Sequence, residues 1–150
     1  MYLLNSLSEE LKSAMRAKDS LKLEALRAIK SALLIAKTAT AVDVDLSEEE
    51  EIRLLQKLIK QRKDSAEIFK EQNRFDLAAP EEAQAEVIAK FLPEQLSSET
   101  IEKIIHKIIT KIGAEGMKDM GKVMVIASKE IAGKADGKTI SNIVKNKLNE

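Results

Sequence analysis

All five glycines, at 113, 116, 121, 133 and 137, fall after residue 112, and both prolines, Pro80 and Pro93, fall before it. This placement divides the chain more sharply than any other feature. Pro80 suits the first turn of a helix, while Leu92-Pro93 biases Leu92 away from helix and reads as a boundary. A division near Pro93 to Ser98 follows, with a first part over residues 1–95 and a second over 96–150. The two parts differ in charge: 15 basic against 18 acidic residues before the division, and 10 against 7 after it. An overall balance of 25 against 25 therefore hides a basic tail.

Within both parts apolar residues recur at intervals of three and four among good helix formers, and strand alternation is missing. The spacing predicts a first helix carrying Leu4, Leu7, Leu11, Ala14 and Met15, breaking around Lys18-Asp19-Ser20. A second carries Leu26, Ile29, Leu33 and Ala36 into a loop over Thr38 to Asp45. Ser47-Glu48-Glu49-Glu50 is a capping box that opens a third helix reaching about Asn73. A fourth is expected over Pro80 to Phe91. Beyond Pro93 come Ser98 to Ile112, Met117 to about Ala132, and Lys138 to Leu148. The fold class is all-α, with a helical N-terminal part and a small three-helix tail domain.

Composition narrows the chemistry. At 44% hydrophobic and 33% charged residues, 150 residues suffice for a core, yet aromatics are 3% and Trp is absent, which leaves stacking platforms for bases nearly absent. Zero Cys removes thiolate catalysis and cysteine zinc sites, and one His removes His-rich metal sites. No P-loop, nucleophile elbow or dinucleotide glycine pattern occurs, so the sequence proposes no catalytic residue, metal or cofactor. His106 falls off the apolar face of Ile101, Ile104, Ile105, Ile108, Ile109 and Ile112 and reads as an exposed polar side chain. Gly113-Ala114-Glu115-Gly116 fits a helix C-cap and turn better than a phosphate cradle. Met1 to Ser6 lacks the order of a signal peptide, and apolar runs such as Ala32 to Ala36 are too short to span a bilayer, so a soluble cytoplasmic protein without a membrane partner is expected.

Two constellations stand out. In the third helix Leu55, Leu58, Ile59, Ala66 and Phe69 define an apolar face with Arg62 near its centre. Either the Arg62 stem packs while its guanidinium meets a carboxylate of a neighbouring helix, or this face is a cleft floor where Arg62 contacts a phosphate or a partner carboxylate. In the sixth helix Met117, Met120, Val123, Met124, Ala127 and Ile131 make the buried stripe, and Lys118, Lys122 and Lys129 gather on the opposite side. Lys134 and Lys138 follow in the glycine-bearing connector, and Lys145 continues on the outer side of the last helix. Such a lysine rail suits sequence-independent phosphate contact, although a solvated helix face has the same pattern.

Six strings in order carry a family resemblance: Leu26-Arg27-Ala28-Ile29-Lys30, Ile59-Lys60-Gln61-Arg62-Lys63-Asp64-Ser65, Asn73-Arg74-Phe75-Asp76-Leu77-Ala78, Phe91-Leu92-Pro93-Glu94-Gln95-Leu96-Ser97, Met117-Lys118-Asp119-Met120-Gly121-Lys122-Val123-Met124 and Ala135-Asp136-Gly137-Lys138. Over nearly its whole length the chain resembles the YqeY-like family, whose C-terminal part looks like the tail of the B subunit of the glutamyl/aspartyl-tRNA amidotransferase. Asn73 stands where the family usually has Gly, a change the left-handed conformation tolerates. The resemblance implies association with a carbon-nitrogen ligase that uses glutamine, with catalysis in other domains and tRNA contact in the tail. It carries Lys118, Lys122, Lys134 and Lys138 over as RNA contacts, and Gly121, Asp136 and Gly137 as residues of backbone shape, Asp136 as the cap of the last helix. The expected function is non-catalytic binding of tRNA or another structured RNA, with no DNA partner. The alternative is a helical module docking on an amidotransferase or another translation enzyme, with Arg62 as the contact.

Overall fold

The computed structural model describes residues 2–40 and 44–150, and every regular element among them is a helix. The chain separates into two compact units between Leu92 and Pro93. The first contains α1 (Tyr2–Ala17), α2 (Ser20–Ala39), α3 (Glu48–Glu71) and α4 (Phe75–Ala89). Of the expected loop over Thr38 to Asp45, Thr38 belongs to α2 and residues 41–43 lie outside the described residues.

Local chemistry sets the ends of these helices. Lys18 adopts a left-handed φ of 53°, and the Asp19 carboxylate then accepts the Lys22 N–H at 3.1 Å to start α2. At α3 the capping box is complete: Ser47 Oγ accepts the Glu50 N–H at 3.3 Å, and the Glu50 carboxylate accepts the Ser47 N–H at 2.8 Å. The backbone hydrogen bond from Ser47, helped by its hydroxyl, holds the Glu50 carboxyl below its ordinary range. Asn73, with φ at 57°, turns the chain between α3 and α4, a role its short amide permits.

The fourth helix differs from expectation. It begins at Phe75, five residues before Pro80, because the left-handed Asn73 and the Arg74 guanidinium, paired with Asp76 at 3.0 and 3.1 Å, start it there. Pro80 then lies inside the helix. It is exposed, so the carbonyl four residues back, which loses its intrahelical donor, is on the side water can reach.

In this unit α2 packs against α1, α3 and α4, and Ala25, Leu26, Ile29 and Leu33 on its inner face are fully buried. They meet Leu7, Leu11, Leu55, Ile59 and Ile88 in one cluster, each full burial of a Leu or Ile being worth about 1.5–3 kcal/mol. Met15, expected in the buried stripe of α1, is 53% exposed. It lies beside Ala14 in the last turn, where the apolar stripe is already closed by the smaller residue.

One buried group opposes this packing. Glu51, in the first turn of α3, is 9% exposed, and its Oε1 has no hydrogen-bond partner among the described residues. Burial raises its pKa, and the nearby charges of Glu48 and Asp45 push the same way. A carboxyl with a raised folded pKa favours the folded state most below its unfolded value near 4.5, and that contribution is lost as pH rises through the folded value. Glu51→Gln should therefore raise the melting temperature at pH 7. The gain should shrink as the pH falls towards 4.5, which thermal melts at several pH values would measure.

The second unit contains α5 (Ser98–Ile112), a 3-10 turn (Met117–Asp119), α6 (Met120–Ile131) and α7 (Gly137–Leu148). Ser97 Oγ caps α5 by accepting the Thr100 N–H at 3.3 Å, and Gly113, at φ 66°, ends it in the left-handed conformation that glycine adopts without strain. Each of the three helices packs against the other two, closing Ile101, Ile105, Ile108, Val123, Ala127, Ile131, Ile140 and Val144 into one aliphatic core. The segment before α5 is stitched to the α6–α7 connector: the Leu96 N–H donates to the Lys134 carbonyl and the Gln95 side-chain amide to the Gly133 carbonyl, both at 2.8 Å. Residues 93–96 thus belong to the second unit.

Candidate nucleic-acid interface

The structure places the rail lysines in three settings. Lys122 and Lys129 stand on α6, seven residues and so about 20° apart, with exposed side chains opposite the buried Val123, Ala127 and Ile131. Val125, 59% exposed, lies between them. Lys118 does not share that register, because Met117–Asp119 is a 3-10 turn; for the same reason Met117, expected in the buried stripe, is 41% exposed. Lys134 sits in the tight α6–α7 connector, where Gly133 has φ 76° and the Lys134 N–H donates to the Ile131 carbonyl at 2.8 Å. Lys138 and Lys145 point outward from α7, opposite Ile140 and Val144.

Because α5, α6 and α7 close on a common core, their outer faces diverge. The six lysines are therefore distributed over the outer sides of α6, the connector and α7 and do not form a single flat face. Their electrostatics differ too. Lys118 pairs with Glu115 at 3.2 Å and Lys122 approaches Asp119 at 3.9 Å, whereas Lys129, Lys134, Lys138 and Lys145 are exposed and make no ion pair among the described residues. The four unpaired ammonium groups are the ones open to an outside anion.

The expected glycine and aspartate roles are met only in part. Gly121 and Gly137 have no positive φ, and a Cβ at either would meet nothing within 4 Å, so neither turn geometry nor close packing requires glycine there. The glycines with positive φ are Gly113 at 66°, Gly116 at 156° and Gly133 at 76°, the last of which the motif reading passed over. Asp136 occupies the N-cap position of α7 in extended conformation and its carbonyl accepts the Ile140 N–H at 3.1 Å, but its side chain makes no capping hydrogen bond.

Arg62 is half-buried between α3 and α4. Its Nε donates to Gln84 Oε1 at 3.0 Å and an Nη to the Leu58 carbonyl at 3.2 Å, so the partner on the neighbouring helix is a neutral amide and not the expected carboxylate. His106 is exposed. Among the described residues no group of three or more His, Cys, Asp or Glu side chains comes together to hold a metal ion, and no helix is long and apolar enough to cross a membrane.

The sequence reading missed three further cations: Lys103, Lys107 and Lys111, all exposed on α5. Their four-residue spacing was the available signal, overshadowed by the isoleucine face on the same helix.

The family described as Yqey-like protein matches residues 4–148 of the chain. The chain belongs to the YqeY-like family. Among curated relatives it is 37% identical over 108 residues to "Altered inheritance of mitochondria protein 41, mitochondrial" of Clavispora lusitaniae, covering 69% of this chain and 61% of that protein. It is 34% identical over 121 residues to the protein of the same name in Vanderwaltozyma polyspora, covering 76% and 64%. In Saccharomyces cerevisiae the identity is 33% over 144 residues, covering 89% and 70%. The chain thus spans a little under two thirds of the first two relatives. These names overturn the cytoplasmic expectation, since each describes its protein as mitochondrial.

For Arg62 a double-mutant cycle separates packing from docking. Arg62→Ala and Gln84→Ala should each destabilise the first unit by about 1–2 kcal/mol, with a coupling of about 1 kcal/mol in chemical denaturation.

Proposed function

We propose that this YqeY-like protein binds structured RNA, tRNA foremost, through phosphate contacts from the lysines of its second unit, without itself catalysing amide transfer. The observation that carries the reading is the set Lys129, Lys134, Lys138 and Lys145, exposed and without ion pairs among the described residues. The resemblance of this unit to the amidotransferase B-subunit tail supports the same ligand. Lysine is a point charge suited to phosphate, and few aromatics are present to stack bases, so binding should depend on RNA shape and charge more than on sequence. The docking reading is weaker, because the hydrogen bonds of Arg62 to Gln84 and Leu58 account for its place in the apolar stripe. Given the names of its relatives, the compartment to test is the mitochondrion.

Gel shift with unfractionated tRNA at two salt concentrations tests the proposal. Affinity should fall steeply with salt, and Glu at Lys129, Lys134 and Lys138 together should weaken binding to all tRNAs alike, by about tenfold or more at low salt. Lys118→Glu should cost less than reversal of an unpaired lysine, because Glu115 already offsets its charge. Absence of any shift at low salt would refute the reading.

A further inference from the structure

The α5 helix carries charge in an order that works against its own stability. Lys103, Lys107 and Lys111 are spaced by four, so each like-charged neighbour is one turn away, about 6 Å along the axis. Like charges at that spacing destabilise a helix by about 0.2–0.5 kcal/mol per pair, and two such pairs follow one another here. On α3 the same spacing also serves attraction: Glu49 pairs with Arg53 and Lys60 with Asp64, the latter at 2.7 Å, and like charges at that spacing, as at Arg53 and Lys57, occur there as a single pair of cations and not as a row of three.

Compensation on α5 is slight. Glu99 stands four residues before Lys103, in the favourable order for a pair, yet the two make no ion pair within 4 Å, and neither Lys107 nor Lys111 has a carboxylate partner among the described residues. Lys111 in the last turn favours the helix dipole, which accounts for one cation and not for the row. All three side chains are exposed on the side of α5 away from Ile101, Ile105 and Ile108. A row of ammonium groups at about 6 Å intervals, repelling one another and left unpaired, is complementary to a polyanion whose charges recur along a strand.

We infer that the α5 stripe of Lys103, Lys107 and Lys111 is a second phosphate-backbone contact, engaged by the same structured RNA that the α6–α7 lysines bind. The inference rests on the proposed RNA-binding function and extends its footprint to a helix outside the lysine motifs. One ligand can reach both surfaces only by following the outside of the three-helix bundle, as a folded RNA larger than the unit would. Each lysine lost from such a contact flattens the dependence of log affinity on log salt by about 0.9 for a duplex phosphate, so the three together should flatten it by about 2 to 3.

The experiment compares tRNA binding by the full chain across a salt series for four proteins: wild type, Lys103/Lys107/Lys111→Gln, the same three positions changed to Arg, and the α6–α7 reversal described above. The Gln variant should lose about tenfold or more in affinity at low salt and show the shallower slope. Its melting temperature should be equal or higher, because the repulsion is gone. The Arg variant should keep the wild-type slope. Failure of the wild type to bind tRNA would remove the RNA reading itself. A wild type that binds, an α6–α7 variant that weakens and a Gln variant with unchanged affinity and slope would overturn the α5 contact alone. Loss of binding in the Arg variant as well, or a Gln variant that melts lower, would also overturn it, since helix integrity would then be the cause.

Discussion

Helices of twelve to fifteen residues are marginal in water, so α5, α6 and α7 depend on closing their aliphatic faces against one another. Isoleucine and valine fill that core with no aromatic ring, and the closure fixes where everything else on these helices must point. Charged side chains are driven to three outer faces. The lysines of this unit are thus spread around a bundle by a constraint that concerns its interior. A ligand that reads a flat patch would meet only some of them, whereas one that wraps or straddles the bundle could meet most.

The first unit solves the same problem with longer helices and a different use of charge. Its central α2 is buried along one side by three neighbours, and seven of its fifteen cations, Lys12, Lys22, Lys37, Arg53, Lys60, Lys70 and Arg74, have a carboxylate partner among the described residues. Exposed pairs of this kind add little to stability, so they matter more for offsetting charge on the surface. The buried Glu51 is the exception, a charge taken from water without a hydrogen bond to its Oε1.

Much of this was legible from sequence where the signal is local. The Ser47 to Glu50 box, the left-handed Asn73 and the Gly113 cap each depend on residues within a few positions of one another, and each is where the pattern put it. What escaped depends on distant partners or on departures from ideal α geometry. Gln84 lies 22 residues from Arg62, so no window on α3 could name it. Pro80 misled because the rule that places proline in the first turn yields to a start made by Asn73, Arg74 and Asp76. Met117 was assigned to a face by α-helical rotation, but its turn is 3-10 and the rotation does not apply. Gly121 and Gly137 show the converse: a glycine in a recurring motif suggested backbone need, and the backbone there is ordinary.

The even charge of the chain is then a sum over two unlike surfaces. Of the ten lysines after residue 95, only Lys118, Lys122 and Lys147 have ion-pair partners among the described residues, and those partners are local, three residues away. Local pairs of that kind leave the field of the unit nearly intact at the distance of an approaching ligand, since the unpaired lysines outnumber the unpaired acids. At physiological salt such a field reaches about 8 Å, far enough to act on a polyanion before contact. A chain neutral by count thus carries a second unit whose unpaired cations outnumber its unpaired acids.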